Sequence, residues 1–168
     1  EPTYLPKNMS LDEISKENLL DVKAAVLSYG GYDFYKYALQ NAETYKNIFW
    51  WLALAKPRGV LGKEFNPIKH PEIYKAISPI YNIPQVSERK LPPQLLTAAT
   101  RDRITPVHMI EEYGSALQEK NQEFEFWEHL GRNHAYLDSG RTLIAGNDFV
   151  RDGIPALKVM MKFFDKHL

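Results

Sequence analysis

The chain has 168 residues, of which 44% are hydrophobic and 25% are charged. This length suits one globular unit and leaves no room for a second substantial domain. The 21 Lys and Arg residues balance the 21 Asp and Glu residues, which argues against nucleic acid or an anionic membrane surface as a partner. The longest wholly apolar run, Ile48 to Ala55, is too short to span a bilayer.

The composition also limits the chemistry that the chain can perform. Because the chain has no Cys, it cannot form a disulfide, a thiolate metal site or a Cys nucleophile. For the same reason, the composition does not indicate whether the protein works in an oxidising or a reducing compartment. No targeting signal is visible at the first residues. His129 with His134, and His108 with Glu111 and Glu112, do not supply three metal ligands. We therefore expect no metal site.

The first half of the chain predicts one strand followed by a helical insertion. A capping box from Ser10 to Glu13 favours a short helix. The apolar run at 22–29 ends at Gly30 and is typical of a buried strand. Between residues 34 and 84 aromatic residues recur at helical spacing and prolines interrupt the run. We interpret residues 34–84 as two or three helices that form a lid-like insertion between strands.

The second half alternates strands with helices. Residues 94–100 predict a second buried strand, and Thr105 as N-cap with Pro106 at the first helical position predicts a helix start. Alternating polar and apolar residues at 123–128 predict a third strand nearer a sheet edge, and residues 154–167 predict a closing helix. This order favours the α/β class, with a parallel sheet covered on both faces. Three strands make a small sheet and leave an open edge.

Two polar residues follow the second and third predicted strands. Asp102 lies after the second strand and His134 after the third. Since the carboxyl ends of parallel strands share one edge, we expect the two side chains to lie close together. A carboxylate that orients an imidazole base is the arrangement that a serine hydrolase needs. The alternative is that Asp102 pairs with Arg101 or Arg103 and that His134 is an ordinary loop histidine.

Four segments in unbroken order resemble the α/β-hydrolase superfamily, in particular its esterase/lipase and prolyl-oligopeptidase-like branches. The run from Pro93 to Pro106 is similar to the strand, acid loop and helix start near the end of that fold. Gly131-Arg132-Asn133-His134-Ala135-Tyr136 resembles its histidine loop. Residues 24–34 and 77–80 resemble the preceding strand and the Ser-Pro segment. The resemblance extends from about residue 21 to residue 168.

The resemblance implies a serine hydrolase, carboxylesterase-like, in which Asp102 orients His134 and the substrate is a small ester or a peptide. It implies no cofactor. The family also requires Gly-x-Ser-x-Gly at the nucleophile and an oxyanion loop before it, and neither is present. We therefore expect residues 1–168 to be one incomplete α/β-hydrolase domain, the C-terminal part of the sheet, with the nucleophile upstream of Glu1. The missing half, or self-association, would cover the open edge.

Two alternative functions remain open. The chain could be a non-catalytic, hydrolase-like module that binds a ligand or a protein. It could also use Ser28 as the nucleophile, since Ser28-Tyr29-Gly30-Gly31 resembles a nucleophile turn, although Val26 stands where that turn needs Gly. We predict that Ser28 is structural. Several aromatic residues of the insertion could either fill the core or line an acyl pocket: Tyr32, Phe34, Tyr35, Tyr37, Tyr45, Phe49, Trp50 and Trp51.

Overall fold

A computed structural model describes residues 22–40, 61, 65–138 and 146–168. Three parallel strands form one sheet in the order β1-β2-β3. They are β1 (Ala25–Ser28), β2 (Gln94–Ala99) and β3 (Phe124–His129). The α/β fold class and the parallel pairing predicted from the sequence are confirmed.

The helices of the described residues lie between and after these strands. They are α1 (Phe34–Leu39), α2 (Pro71–Ile77), α3 (Val107–Glu119) and α4 (Ile154–His167), with a 3₁₀ turn at Pro79–Asn82 and a π-helical turn at Phe149–Gly153. The described part of the 34–84 segment is thus partly helical, and its role as a lid stays a prediction. The helix expected at Ser10 lies outside the described residues, as do residues 41–60. None of the described helices is long and apolar enough to cross a membrane.

The central strand shows why the sheet needs helices on both faces. All six residues of β2 are buried. Leu96 and Ala98 pack into the apolar cluster under α3, whereas Leu95 and Ala99 pack into the cluster under α4. Because successive side chains of a strand point to opposite faces, one continuous apolar run supplies both cores.

Helix α3 lies close against the sheet because it carries Gly114. A Cβ atom at Gly114 would lie 2.9 Å from Cε2 of Phe124 on β3. On this face, Ile110, Tyr113 and Leu117 of α3 form one buried cluster with Tyr32, Ile83, Leu96 and Ala98. On the opposite face, Ala156, Met160 and Phe163 of α4 pack in one cluster with Leu95, Ala99 and Tyr136.

The start of α3 differs from the sequence-based expectation. The helix begins at Val107, its N-cap residue is Pro106, and no side chain caps it. The prediction that Thr105 is the N-cap is therefore wrong. The Thr105 hydroxyl instead contacts the Asp102 carboxylate, and this contact bears on the site described next.

Candidate active site

The two residues singled out in the sequence meet at the carboxyl end of the sheet. Nδ1 of His134 lies 2.8 Å from Oδ2 of Asp102, although the residues are 32 positions apart. Asp102 belongs to the acid loop, residues 100–106 after β2, and His134 belongs to the base loop, residues 130–138 after β3. Among the described residues, Asp102 forms no ion pair with Arg101 or Arg103. This result argues against the alternative in which Asp102 only neutralises a neighbouring arginine.

Asp102 is held by four hydrogen bonds and is only 6% exposed. Oδ1 accepts the backbone N–H groups of Ile104 at 2.8 Å and Thr105 at 2.9 Å. Oδ2 accepts the Thr105 hydroxyl at 2.9 Å as well as His134. Burial by itself raises the pKa of Asp102, but the bonds from His134, Thr105 and Ile104 outweigh it and place the pKa below its ordinary value. The group is therefore a carboxylate at neutral pH.

His134 is oriented by contacts on several sides and keeps part of its ring exposed, since its side chain is 26% exposed. An ionised carboxylate can only accept a hydrogen bond, so Nδ1 carries the proton. The ring packs against Tyr29 with centroids 5.0 Å apart and planes inclined at 60°. The side-chain amide of Asn147 donates to the His134 carbonyl. This arrangement turns Nε2 away from the carboxylate, as a general base requires.

The base loop is tied to the rest of the domain by contacts that cross large sequence distances. The backbone N–H of Gly131 donates to the Thr100 hydroxyl at 2.7 Å. Arg101 donates its N–H to the Arg132 carbonyl at 2.9 Å. Nε of Arg132 lies 2.8 Å from Oδ1 of Asp152, at an angle that makes the contact ionic rather than a hydrogen bond.

Asp152 is a buried carboxylate behind the base loop. Its side chain is fully buried and pairs with Arg151 as well as Arg132. The Arg151 hydrogen bonds, helped by the Asp148 backbone N–H and by both arginine charges, outweigh burial and lower the pKa of Asp152 to about 2. Sequence reasoning missed Asp152 and Asn147, because neither stands in a motif and both contact the loop only in the folded chain.

Ser28 ends β1 and its hydroxyl already has a partner. Oγ of Ser28 accepts a hydrogen bond from the Thr97 hydroxyl at 3.0 Å. The Thr97 hydroxyl also contacts the Tyr136 hydroxyl. Burial raises the pKa of Tyr136 to about 12, so its phenol is neutral. Ser28 thus belongs to a hydroxyl network on the α4 face of the sheet.

Other candidate residues of the sequence lie apart from this site. Nε2 of His129 lies 2.8 Å from the Asp152 carbonyl oxygen, and His108 is exposed. Over residues 22–40, 65–138 and 146–168, no three His, Asp or Glu side chains converge as metal ligands would. Tyr32 stacks on Tyr113 with centroids 4.1 Å apart and belongs to the core. Four of the other aromatics lie outside the described residues: Tyr45, Phe49, Trp50 and Trp51.

The parallel sheet, the helices on both faces and the acid and base loops at one edge define an α/β-hydrolase fold. The model of the prolyl oligopeptidase family matches residues 23–168. The chain therefore belongs to the prolyl oligopeptidase family. A search of curated proteins finds no significant match.

Solved structures support the same fold. Pyrococcus horikoshii acylaminoacyl peptidase is 19% identical with a TM-score of 0.60, and the match covers 87% of this chain and 20% of that protein. The apo form of Thermogutta terrifontis esterase 2 is 17% identical with a TM-score of 0.58, and the match covers 96% of this chain and 46% of that protein. The chain thus spans between a fifth and a half of these relatives. One is a peptidase and the other an esterase, and both are hydrolases.

Proposed function

We propose that this chain supplies the acid and the base of a Ser-His-Asp triad in a serine hydrolase. The observation that carries the proposal is the 2.8 Å contact between Nδ1 of His134 and Oδ2 of the buried Asp102. Asp102 fixes the imidazole tautomer and stabilises the imidazolium that forms during the reaction. Membership of the prolyl oligopeptidase family supports the same chemistry.

The reaction would proceed in two proton transfers through His134. As a serine oxygen attacks the substrate carbonyl carbon, Nε2 takes the serine proton. The bond to the leaving group then breaks, and Nε2 returns that proton to the leaving oxygen or nitrogen, which leaves an acyl-serine. Water hydrolyses the acyl-serine by the same two transfers. Asp102 remains ionised throughout.

The nucleophile in this proposal lies outside the present sequence. The sequence lacks Gly-x-Ser-x-Gly, which the turn of the nucleophile requires for steric reasons. Ser28 is assigned a structural role, because Val26 occupies a position where the turn needs Gly. The remainder of the domain would pair along the outer edge of β1, whose only strand neighbour among the described residues is β2.

The substrate would be a small ester or a peptide. Both classes present a carbonyl carbon and a leaving group that needs a proton, so the acid and base alone do not separate them. The solved relatives include an acylaminoacyl peptidase in complex with Z-Gly-Gly-Phe-chloromethyl ketone and an esterase. We infer that ester hydrolysis is the easier activity to detect, since an ester is the more reactive substrate.

The test is labelling with a fluorophosphonate probe followed by peptide mapping. The protein is expressed from its complete coding sequence as wild type, as His134→Ala and as His108→Ala. We expect rapid labelling of the wild type at a serine outside this sequence. His134→Ala should label roughly 10³-fold more slowly or not at all. The exposed residue His108 provides the matched control, whose variant should label like the wild type.

Each other outcome would contradict part of the proposal. Labelling at Ser28 would overturn both its structural role and the external nucleophile. Unchanged labelling of His134→Ala would exclude His134 as the base. A correctly folded protein with no labelling and no ester hydrolysis would favour the non-catalytic binding module.

A further inference from the structure

We propose that Thr105 is a positioning residue of the acid–base pair, and that its hydroxyl holds the Asp102 carboxylate in the orientation that aligns His134. This inference rests on the proposed function. It concerns a residue that the sequence marked only as a helix cap, and α3 has no side-chain cap. The hydroxyl is therefore available for another role.

The Thr105 hydroxyl lies at the centre of the site. Oγ1 is 2.9 Å from Oδ2 of Asp102, 3.2 Å from Nδ1 of His134 and 3.1 Å from the carbonyl oxygen of Tyr29. Thr105 is only 6% exposed. One buried oxygen thus touches the acid, the base and the backbone at the end of β1.

The hydroxyl has one hydrogen and two possible acceptors. The carboxylate of Asp102 is charged and closer, whereas the Tyr29 carbonyl is neutral and farther. A charged acceptor forms the stronger hydrogen bond. We therefore assign the hydrogen to Oδ2 of Asp102, with Oγ1 also lying beside the Nδ1–H group of His134.

This assignment fills the acceptor positions of the carboxylate. An ionised carboxylate offers about four lone-pair positions. Oδ1 accepts two backbone N–H groups, from Ile104 and Thr105. Oδ2 accepts the Thr105 hydroxyl and the His134 Nδ1–H group. With three positions filled from its own loop, Asp102 cannot rotate without breaking bonds, and the fourth position faces His134.

The tyrosines beside the Asp102–His134 pair stay neutral between pH 5 and pH 8, the range in which an imidazole ordinarily titrates. Burial, with a contribution from Asp138, raises the pKa of Tyr29. Burial and the Asp102 charge raise the pKa of Tyr37, whose hydroxyl donates to the Ile104 carbonyl. The exposed Arg101 and Arg103 form no ion pair with Asp102 among the described residues. A change in the pH profile that appears only when the Thr105 hydroxyl is removed therefore reports on the Asp102–His134 pair.

The experiment compares Thr105→Val, which removes the hydroxyl at nearly constant shape, with Thr105→Ser, which keeps it. The complete protein is labelled with the fluorophosphonate probe between pH 5 and 9, and melting temperatures are measured in parallel. Thr105→Val should label roughly tenfold more slowly at pH 7, the loss expected for one hydrogen bond to a charged group. The acidic limb of its pH profile should move to higher pH, because Oδ2 then attracts the imidazolium more strongly. Thr105→Ser should restore the wild-type rate and limb.

The outcomes separate this inference from the proposed function. If His134→Ala labels normally, the proposed function fails whatever Thr105 does. If His134→Ala abolishes labelling while Thr105→Val keeps the wild-type rate and pH profile, the positioning role fails. A serine variant as slow as the valine variant would show that keeping the hydroxyl does not restore the rate, and this result would also overturn the positioning role. Should Thr105→Val not fold, Thr105→Ala compared with Thr105→Ser gives the same test.

Discussion

The acid loop and the base loop end in the same site but are stabilised in different ways. In the acid loop, Asp102 accepts hydrogen bonds from Ile104 and Thr105, only two and three residues away. In the base loop, His134 accepts from Asn147, thirteen residues away, and Arg132 contacts Asp152 beyond an intervening segment. The acid is therefore fixed by its own loop, whereas the base depends on the folded domain.

This difference explains which changes should damage chemistry and which should damage the fold. A change at Asp102 removes a charge that the local backbone already orients, so the loop can keep its shape. A change at Asp152 removes a fully buried carboxylate that pairs with two partly exposed arginines, Arg132 and Arg151, and so removes contacts that hold the base loop to the domain. We expect the first class of change to affect turnover and the second to affect stability.

The largest effect is expected for Asp102→Asn in the complete protein. The amide oxygen can still accept the Ile104 and Thr105 N–H groups, so the fold should persist. The amide favours the wrong imidazole tautomer, and turnover should fall by as much as ~10⁴. The measurement is ester hydrolysis, with circular dichroism to check the fold. Asp165→Asn, at an exposed position on α4, is the control, and equal losses in both variants would contradict the role of Asp102.

The second effect concerns Asp152→Ala, which should destabilise the protein by about 2 kcal/mol in urea unfolding. The variant removes a buried carboxylate that accepts hydrogen bonds from Arg151 and from the Asp148 backbone N–H and pairs with Arg132. Asp165→Ala should change stability by less than about 0.5 kcal/mol. If both variants unfold at the same urea concentration, Asp152 does not hold the base loop.

The same carboxylate predicts a pH dependence. Its folded pKa, about 2, lies below the ordinary value of 3.8. A lowered pKa contributes stability that is present above pH 4 and is lost as the pH falls toward 2, and here it amounts to about 2 kcal/mol. The difference in unfolding free energy between wild type and Asp152→Asn should therefore shrink between pH 5 and pH 2. A difference that stays constant over this range would contradict the assigned pKa.

The smallest effect is expected for Asn147→Ala. The variant removes the donor to the His134 carbonyl but leaves Asp102 and its loop intact. We expect a loss of about 1 kcal/mol of stability and a fall of roughly threefold in the fluorophosphonate labelling rate, since a looser base loop spends less time aligned. Gln118→Ala, at an exposed amide on α3, should change neither quantity. An unchanged stability and labelling rate in Asn147→Ala would contradict the role of Asn147 in holding the base loop.

The sequence predicted the parts of the fold that depend on local patterns. The apolar run of β2 and the alternation of β3 indicated strands because side-chain periodicity follows directly from backbone geometry. The start of α3 was predicted wrongly at Thr105, since a threonine before a proline is typical of a helix cap, whereas here the Thr105 hydroxyl bonds to the Asp102 carboxylate three residues earlier.

By itself, the sequence determined the parallel α/β arrangement and the placement of Asp102 and His134 at one edge, because parallel strands end on the same side of their sheet. Only the tertiary structure decided how the base is held, through Asn147 and the Arg132–Asp152 pair, and that the Thr97 hydroxyl donates to Ser28. The physical reason is the range of the contacts. Bonds within three residues are set by local geometry, whereas those across many residues exist only after the sheet and helices have packed.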